Sequence, residues 1–302
     1  MMKRFYGILC CLIIAALCLS GCSGTNNSSN SENYIVASSD ELKFEECSGG
    51  VKLVAYDKTI IDENGLLSIP AQHNGKDVVS IGESAFAGCN DIKSIEFPET
   101  LEEIEKQAFV NCSDLETIKF PESLKRLKSG AFINCTSLSS VTFGSQVDTI
   151  EGECFMGCKK LDNVVIPEKV TAIRGNTFDG CTSLKTIKLH DGITEIHGES
   201  FTNCSSLAEI TLPKYITEIR GNTFENCTSL RSIVIPEGVT RIAAHAFRNC
   251  SSLSSVSVPS TVNEIGSSAF RKCKSLRSIS IPKGASVNER AFKESPTDIT
   301  YK

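Results

Sequence analysis

A phenylalanine recurs at every twenty-third position over most of this chain. The spacing is kept without slippage from Phe86 to Phe270, and Phe292 follows after 22 residues. Self-similarity at a fixed period of roughly 20 to 50 residues is the signature of a repeat architecture. A unit this short cannot bury its own apolar side chains, so the sequence predicts coils that stack and cover one another.

Cysteine and leucine keep the same interval. A cysteine stands three residues after each phenylalanine from Phe86 to Phe270, and a leucine or isoleucine stands three residues after each of these cysteines. The cysteines are Cys89, Cys112, Cys135, Cys158, Cys181, Cys204, Cys227, Cys250 and Cys273, and the aliphatic residues run from Ile92 to Leu276. Burial of each large apolar side chain contributes about 1.5–3 kcal/mol. Stacked coils therefore obtain a continuous core from residues that recur in phase.

Each unit contains a short alternating segment. Leu184, Ile187 and Leu189 have the spacing of inward-facing strand residues, whereas Lys188 faces outward. Proline or another breaker follows and turns the chain. The phenylalanine and the small residue before it suit a tight helical or 3₁₀ turn. The sequence therefore predicts an α/β repeat of about ten coils with a short-strand parallel sheet on one face, about 45–50 Å long.

The unit closely resembles a known bacterial repeat. The pattern Leu-x-x-Ile-x-Ile-Pro-x-x-Val-x-x-Ile-Gly-x-x-Ala-Phe-x-x-Cys, seen from about Leu67 to Phe292, is similar to the BspA-like (type 5, or Treponema pallidum-type) leucine-rich repeat. Gly144 and His190 replace its proline, and Ser295 replaces its last cysteine, as suits a terminal cap. The resemblance implies a leucine-rich-repeat solenoid and a surface protein used for adhesion to host matrix, epithelial cells or other bacteria. It implies no particular ligand.

The amino terminus reads as an export signal. Lys3 and Arg4 precede an apolar run, which ends in Leu19-Ser20-Gly21-Cys22. A basic start, a short apolar run and small residues are typical of a signal peptide. The ending resembles the bacterial lipobox, which implies that Cys22 is lipidated and becomes the first mature residue. The alternative is a plain secretory signal that ends near a cysteine.

The expected organisation has five parts. Residues 1–21 are the lipoprotein signal peptide, 22–33 the lipidated cysteine with a flexible Ser/Asn-rich tether, and 34–80 the amino-terminal cap with a first atypical repeat. Residues 81–292 form the solenoid and 293–302 the carboxy-terminal cap. The expected location is the cell surface, with the membrane contacted only through the lipid anchor.

The cysteine ladder favours burial over covalent chemistry. Stacked thiols point the same way, so disulfides between coils are disfavoured, and a straight file offers no tetrahedral zinc site. We expect small buried side chains with weak S–H donors. Cys154 takes a small-residue position and is expected in the core. For Cys47 the sequence leaves a free and a paired thiol open.

Catalysis is not expected. The four histidines are scattered among different coils, and no catalytic, phosphate-binding or calcium-binding motif is visible. We expect no cofactor and no metal, and the net charge of -5 argues against a nucleic-acid partner. The recurring Asn-Cys-Ser/Thr, as at Asn111, is interpreted as the polar turn before the buried cysteine rather than as a glycosylation acceptor.

The outward column of the strands is the predicted ligand face. Its candidate binding residues are Lys119, Thr142, Val165, Lys188, Thr211 and Val234. Extended surfaces of this kind are the usual binding surfaces of solenoids. We predict a lipid-anchored binding or adhesion protein with a protein or glycan ligand. The alternative is an envelope scaffold, or an accessory protein that captures a substrate, without a host ligand.

Overall fold

A computed structural model describes residues 42–56 and 60–302. The predicted signal peptide, the lipidation of Cys22 and the tether lie outside these residues. No helix of the described ranges is long and apolar enough to cross a bilayer. The strands, in chain order, are β1 (Lys43–Cys47), β2 (Gly50–Ala55), β3 (Leu66–Ser68), β4 (Gln72–His73), β5 (Lys76–Ile81), β6 (Ser94–Glu96), β7 (Glu103–Ile104), β8 (Thr117–Lys119), β9 (Arg126–Leu127), β10 (Ser140–Thr142), β11 (Thr149–Ile150), β12 (Asn163–Val165), β13 (Ala172–Ile173), β14 (Thr186–Lys188), β15 (Glu195–Ile196), β16 (Glu218–Ile219), β17 (Ser232–Val234), β18 (Arg241–Ile242), β19 (Ser255–Ser257), β20 (Glu264–Ile265), β21 (Ser278–Ile281), β22 (Ser286–Val287) and β23 (Asp298–Tyr301).

The predicted parallel sheet lies on one side of a solenoid of about 11 turns. We call this sheet the front ladder; it is continuous over β3, β6, β8, β10, β12 and β14 and resumes as the pairs β17–β19 and β21–β23. Neighbouring strands pair in parallel at an offset of one repeat, as Val141 opposite Ile118. Their central residues are buried and the residues on either side are exposed. The alternation read from the sequence is thus confirmed.

A second parallel sheet forms where the sequence predicted only a return leg. We call it the back ladder; it consists of the two-residue strands β7, β9, β11, β13, β15, β16, β18, β20 and β22, with β5 at its start, and it is paired in three sections, β5-β7-β9-β11, β13-β15 and β16-β18-β20-β22. One residue of each strand from β7 to β20, such as Ile104 or Ile242, is buried, and Val287 of β22 is partly buried. The apolar pairs spaced three residues apart correctly predicted a return leg. Its strands were missed because two residues are too few to show the alternation typical of a β-strand.

The core is a column of stacked phenylalanine rings. From Phe86 to Phe292, successive rings have centroids 4.8–5.8 Å apart and planes within 8° of parallel. The backbone couples the same coils, because Phe109 N–H donates to Ala131 C=O at 2.8 Å and the pattern repeats. The stacked core predicted from the 23-residue interval is confirmed.

The helical part of the expected α/β class is wrong, because the described residues contain no helix. The turn around each phenylalanine from Phe86 to Phe270 holds two residues in the left-handed region, two positions before the ring and two positions after it, with φ between 55° and 74°. A right-handed helix cannot continue through such residues. The second position explains the recurring Asn-Cys: Asn111, Asn134, Asn203, Asn226 and Asn249 all have positive φ, a conformation that asparagine tolerates well.

The cysteine ladder is buried, as expected. Each thiol from Cys112 to Cys273 donates to the carbonyl of the phenylalanine in the preceding coil, with S···O distances of 3.0–3.3 Å. In the last coil the hydroxyl of Ser295 takes the same place, 2.6 Å from Phe270 C=O. Cys154 is buried in the core and Cys47 is a half-buried free thiol. The thiols thus tie each coil to the previous one.

The two ends of the solenoid are closed differently. At the amino end β1 and β2 form an antiparallel hairpin, and β2 pairs in parallel with β5. Tyr56 covers the first ring of the stack, Phe86, with centroids 4.7 Å apart. At the carboxyl end β23 pairs with β21, and Phe292 is only partly buried.

Candidate ligand-binding site

The candidate residues are all exposed on the face of the front ladder. Five of them follow the buried centre of a strand, so their side chains point away from the core. Thr211 holds the same repeat position in a coil that forms no strand. Lys119, Thr142, Val165 and Lys188 belong to four successive strands, and Val234 belongs to β17. Their place on one face follows the sequence expectation; their role in binding stays a prediction.

The front ladder is interrupted between β14 and β17 and again between β19 and β21, and the first gap leaves a whole coil unpaired. Residues 209–211, which contain Thr211, occupy the position of a strand between β14 and β17 but pair with neither. We call residues 208–215 the open coil. Ile210 at its centre is only partly buried, whereas Ile187 and Ile233 in the neighbouring coils are 6% and 2% exposed. The sheet has therefore opened over part of its apolar floor.

A concavity of about 810 Å³ lies over the open coil. Its lining residues are Asn163, Val164, Val165, Thr186, Ile187, Lys188, Leu189, Glu209, Ile210, Thr211, Leu212, Lys214, Ser232, Val234 and Pro236. Val165, Lys188, Thr211 and Val234 are thus brought together from four coils. Lys119 and Thr142 lie on the same face but outside this concavity.

Exposed apolar side chains stand on both sides of the open coil. Val165 and Val234 are 60% and 68% exposed, which places them among the few large hydrophobic residues on the surface of the described chain. The partly buried Leu189 and Ile210 lie on the floor between them. Such a patch becomes favourable when a ligand covers it, at about 25 cal/mol for each Å² removed from water.

Charged groups of both signs accompany the apolar floor. Glu209 is the one charged residue in a column that is otherwise serine, threonine or asparagine from Ser94 to Ser278. Lys188 and Lys214 supply ammonium groups. The lining therefore offers an acceptor, two cationic donors and several hydroxyls around aliphatic side chains, which favours reversible contact with a ligand that carries both apolar and charged groups.

The sequence reasoning did not single out Lys214, which lines the concavity, or the adjacent Tyr215. Lys214 Nζ lies 4.7 Å from the ring centroid of Tyr215, which is 59% exposed, and 3.3 Å from a carboxylate oxygen of Asp191. The phenol of Tyr215 and the carboxylate of Asp191 raise the pKa of Lys214. Tyrosine is enriched at binding hot spots. The signal was present in the sequence, because Lys214-Tyr215 replaces the Glu-Lys, Asp-Gly or Glu-Gly of adjacent repeats.

The histidines take separate places, as the sequence indicated. His73 stacks on Phe44 with centroids 4.1 Å apart, and a ring nitrogen of His190 lies 2.9 Å from a backbone carbonyl. His197 and His245 lie beside the back ladder. Within residues 42–56 and 60–302, no group of three or more histidine, cysteine, aspartate or glutamate side chains is placed to hold a metal ion.

Comparison with known proteins gives a consistent result. The model of the BspA type leucine rich repeat region matches residues 67–185 and 171–297. A leucine rich cell surface protein from Faecalibacterium prausnitzii is 25% identical and covers 83% of each chain, with a TM-score of 0.53. The leucine rich repeat protein of T. pallidum is 21% identical over 80% of this chain and 90% of its own, with a TM-score of 0.46.

A leucine-rich repeat protein from Bacteroides ovatus is 23% identical over 87% of this chain and 89% of its own, with a TM-score of 0.45. No curated protein matches the chain.

Proposed function

The chain belongs to the BspA-type leucine-rich-repeat family, and on that premise we propose that it is an exported, lipid-anchored binding protein of the bacterial cell surface that holds a protein ligand over the open coil. The family and its solenoid are typical of surface proteins that act through protein contacts and have no catalytic role. The similarity to a cell surface protein of F. prausnitzii supports the location.

The observation that carries the proposal is the coincidence of three features at one coil. The front ladder loses its pairing there, a concavity of about 810 Å³ forms, and Val165 and Val234 stand exposed on its two sides. Exposed apolar groups rimmed by charges mark interaction surfaces more often than scattered hydrophobic residues do. The exposed column of the front ladder is otherwise polar from Glu96 to Ser280, so the open coil is where binding energy is concentrated.

The chemistry of the lining favours a protein over a glycan. Aliphatic side chains cover the floor, and none of the described residues that line the concavity is aromatic, so a sugar ring has no aromatic side chain there on which to stack. Lys188 and Glu209 suit a polypeptide segment with charges of both signs on either side of an apolar residue. Several copies anchored in one membrane would add avidity to a modest single contact. Host matrix, epithelial surfaces and other bacteria are the candidate sources.

The test is a pull-down with the protein from residue 23 onward immobilised on beads. Extracts of host matrix and epithelial surface form one pool, and the bacterium's own envelope forms the other. We expect a host protein to bind. The amount captured should fall at least tenfold when Val165→Glu and Val234→Glu are combined, because two charges then occupy the apolar rim.

The matched control combines Lys119→Glu with Thr142→Glu, which alters the same exposed column outside the concavity. This control should retain binding. Equal loss in both variants would place the contact elsewhere on the face. Enrichment from the bacterial pool alone would replace adhesion by the second candidate, an envelope scaffold or a substrate-capture accessory protein.

The anchor is tested separately. Cys22→Ala should release the protein from membranes into the soluble fraction, because the lipid is attached through this sulfur. Continued tight membrane association of the variant would contradict the lipoprotein assignment and leave the binding proposal standing.

A further inference from the structure

A row of basic side chains lies beside the back ladder, away from the open coil. Arg174, His197 and Arg220 directly follow β13, β15 and β16 and occupy the same position in three successive repeats. A guanidinium nitrogen of Arg174 lies 3.2 Å from His197 Nε2, and one of Arg220 lies 3.1 Å from His197 Nδ1. We call these three residues the basic triad.

The triad has fewer acceptors than donors. Glu195 Oε2 lies 3.0 Å from His197 Nε2 and 3.1 Å from a guanidinium nitrogen of Arg220. A neutral imidazole has one donor and one acceptor nitrogen. If Nε2–H donates to Glu195, Nδ1 accepts from Arg220, and Arg174 then faces an N–H with which it cannot bond.

Arg174 is exposed and lacks a carboxylate partner among residues 42–56 and 60–302. The nearby acids are engaged elsewhere: Glu151 pairs with Lys128, Glu218 pairs with Arg241, and Glu199 accepts from Asn222. The triad therefore keeps an excess of positive charge.

Other cations of the back ladder are balanced. Lys128 pairs with Glu103 and Glu151, and Arg241 pairs with Glu218 and Glu264. At the triad, by contrast, burial and then the charges of Arg220 and Arg174 lower the pKa of His197. An anion bound by both guanidinium groups beside the imidazole would relieve this repulsion, since opposite charge favours the protonated imidazole.

Access to the triad is open on one side. Gly175, Gly198 and Gly221 follow its three members, and a Cβ on Gly198 would lie 2.7 Å from Gly221 C=O. The close approach of adjacent coils therefore requires the absence of a side chain here. As a result, no side chain of these residues screens the guanidinium groups from a ligand.

We infer that the basic triad is a binding site for a single sulfate or phosphate group. Guanidinium groups bind such oxyanions through paired N–H donors, and the imidazole adds a third donor once it is protonated. The group would come from a free ion or from a sulfate ester of a polysaccharide. This site is distinct from the front ladder and independent of the ligand proposed there.

The test follows the imidazole proton resonances of the full-length chain in detergent micelles. His197 is assigned from His197→Gln, and pH titrations in sodium sulfate and in sodium phosphate are compared with sodium chloride at equal ionic strength. We expect both oxyanions to raise the pKa of His197, because the bound anion stabilises the imidazolium. The shift at His197 should be at least about twice the shift at any other histidine.

Two variants complete the test. Arg174→Gln should remove the anion-specific effect, and Arg241→Gln, which alters a balanced cation of the same ladder, should leave it intact. A heparin oligosaccharide that acts at lower sulfate concentration than the inorganic ion would identify a polysaccharide ester as the source; equal potency would identify the free ion. Identical titration of His197 in sulfate, phosphate, heparin and chloride, or equal loss in both variants, would overturn the assignment.

Discussion

The stretch of front ladder from β6 to β14 and the open coil are built from the same repeat. Both keep the 23-residue interval, and the phenylalanine stack passes through both without a break: the Phe109–Phe132 and Phe201–Phe224 centroids are 5.1 and 5.5 Å apart. The strands pair in the first region and not in the second. The comparison shows that the coils are held together at the phenylalanine column, so one coil of the sheet can open without loss of the core.

Side chains behind the strands differ between the two regions. Phe97, Phe120 and Phe143 form a second aromatic stack, with centroids 5.5–5.7 Å apart, behind the first front strands. Leu189 and Leu212 hold the corresponding positions around the open coil, and Leu189 is only partly buried. Glu209, a poor strand former, stands where the other coils have a hydroxyl or amide. The side chains that pack behind the sheet are therefore smaller at the open coil, and the strand propensity of its sequence is lower.

The largest expected effect comes from removing a ring beneath the open coil. Phe201→Ala should lower the free energy of unfolding by about 3–5 kcal/mol, because it deletes a fully buried ring at a coil whose front strand is not paired with its neighbours. Denaturant unfolding measures it. Phe292→Ala, at the partly buried end of the column, is the control and should cost less. An equal cost at both positions would contradict a core centred on the stacked rings.

A second prediction concerns whether the core beside the open coil is as well buried as the core of the paired region, and it is tested by varying the pH. Burial raises the pKa of the Cys204 thiol well above its ordinary value of 9.0. Above pH 9 this thiol ionises in the unfolded chain but stays protonated in the folded one, so the folded state binds more protons and stability falls as the pH rises. The contribution is about 1.4 kcal/mol for each pH unit between the unfolded and folded pKa.

The measurement compares unfolding at pH 8 to 11 for the native chain, Cys204→Ala and Cys135→Ala. Cys135 belongs to the paired region, and burial likewise raises its pKa well above the usual value. In each alanine variant the free energy of unfolding should fall less steeply with rising pH than in the native chain, and by the same amount in both variants. A smaller change for Cys204→Ala would mean that the opening extends from the front ladder into the core.

A third change closes the open coil by restoring the column. Glu209→Thr should increase stability by about 0.5–1 kcal/mol, because threonine favours strands and places a hydroxyl beside Thr186 and Ser232. Thermal unfolding and amide exchange of residues 209–211 report the result. Unchanged exchange in the variant would show that Glu209 is not what keeps the coil unpaired.

The smallest effect is expected on the surface of the concavity. Val165→Thr should change stability by less than about 0.5 kcal/mol, because the side chain is 60% exposed. The neighbouring Val164, only 3% exposed, provides the matched control, since Val164→Thr buries a hydroxyl and should cost about 1–3 kcal/mol. Similar losses in the free energy of unfolding at the two positions would mean that the Val165 side chain packs against the protein instead of being available to a ligand.

The interval of the phenylalanines, cysteines and leucines was sufficient to predict stacked coils, the front ladder and its exposed column. The helix was predicted wrongly because Ala-Phe after an apolar pair fits one helical turn, whereas the positive φ at positions such as Gln107 and Glu153 depends on contacts between coils. The concavity could not be predicted, because Leu207, Ile210 and Leu212 keep the register of every other repeat. Glu209 and Lys214-Tyr215 were visible as departures, but only the structure brings Glu209 and Lys214 together with Val165 and Val234 around one concavity.

Amide hydrogen exchange in the free protein would show whether the open coil is unpaired while the phenylalanine column continues through it. We expect the amides of residues 209–211 to exchange at least tenfold faster than those of Thr117–Lys119, a strand paired on both sides. We also expect the amides of Phe201 and Phe224, bonded to the next coil at 3.0 and 2.9 Å, to be as protected as that of Phe109. Equal protection of residues 209–211 and Thr117–Lys119, or fast exchange at Phe201 and Phe224, would contradict this arrangement.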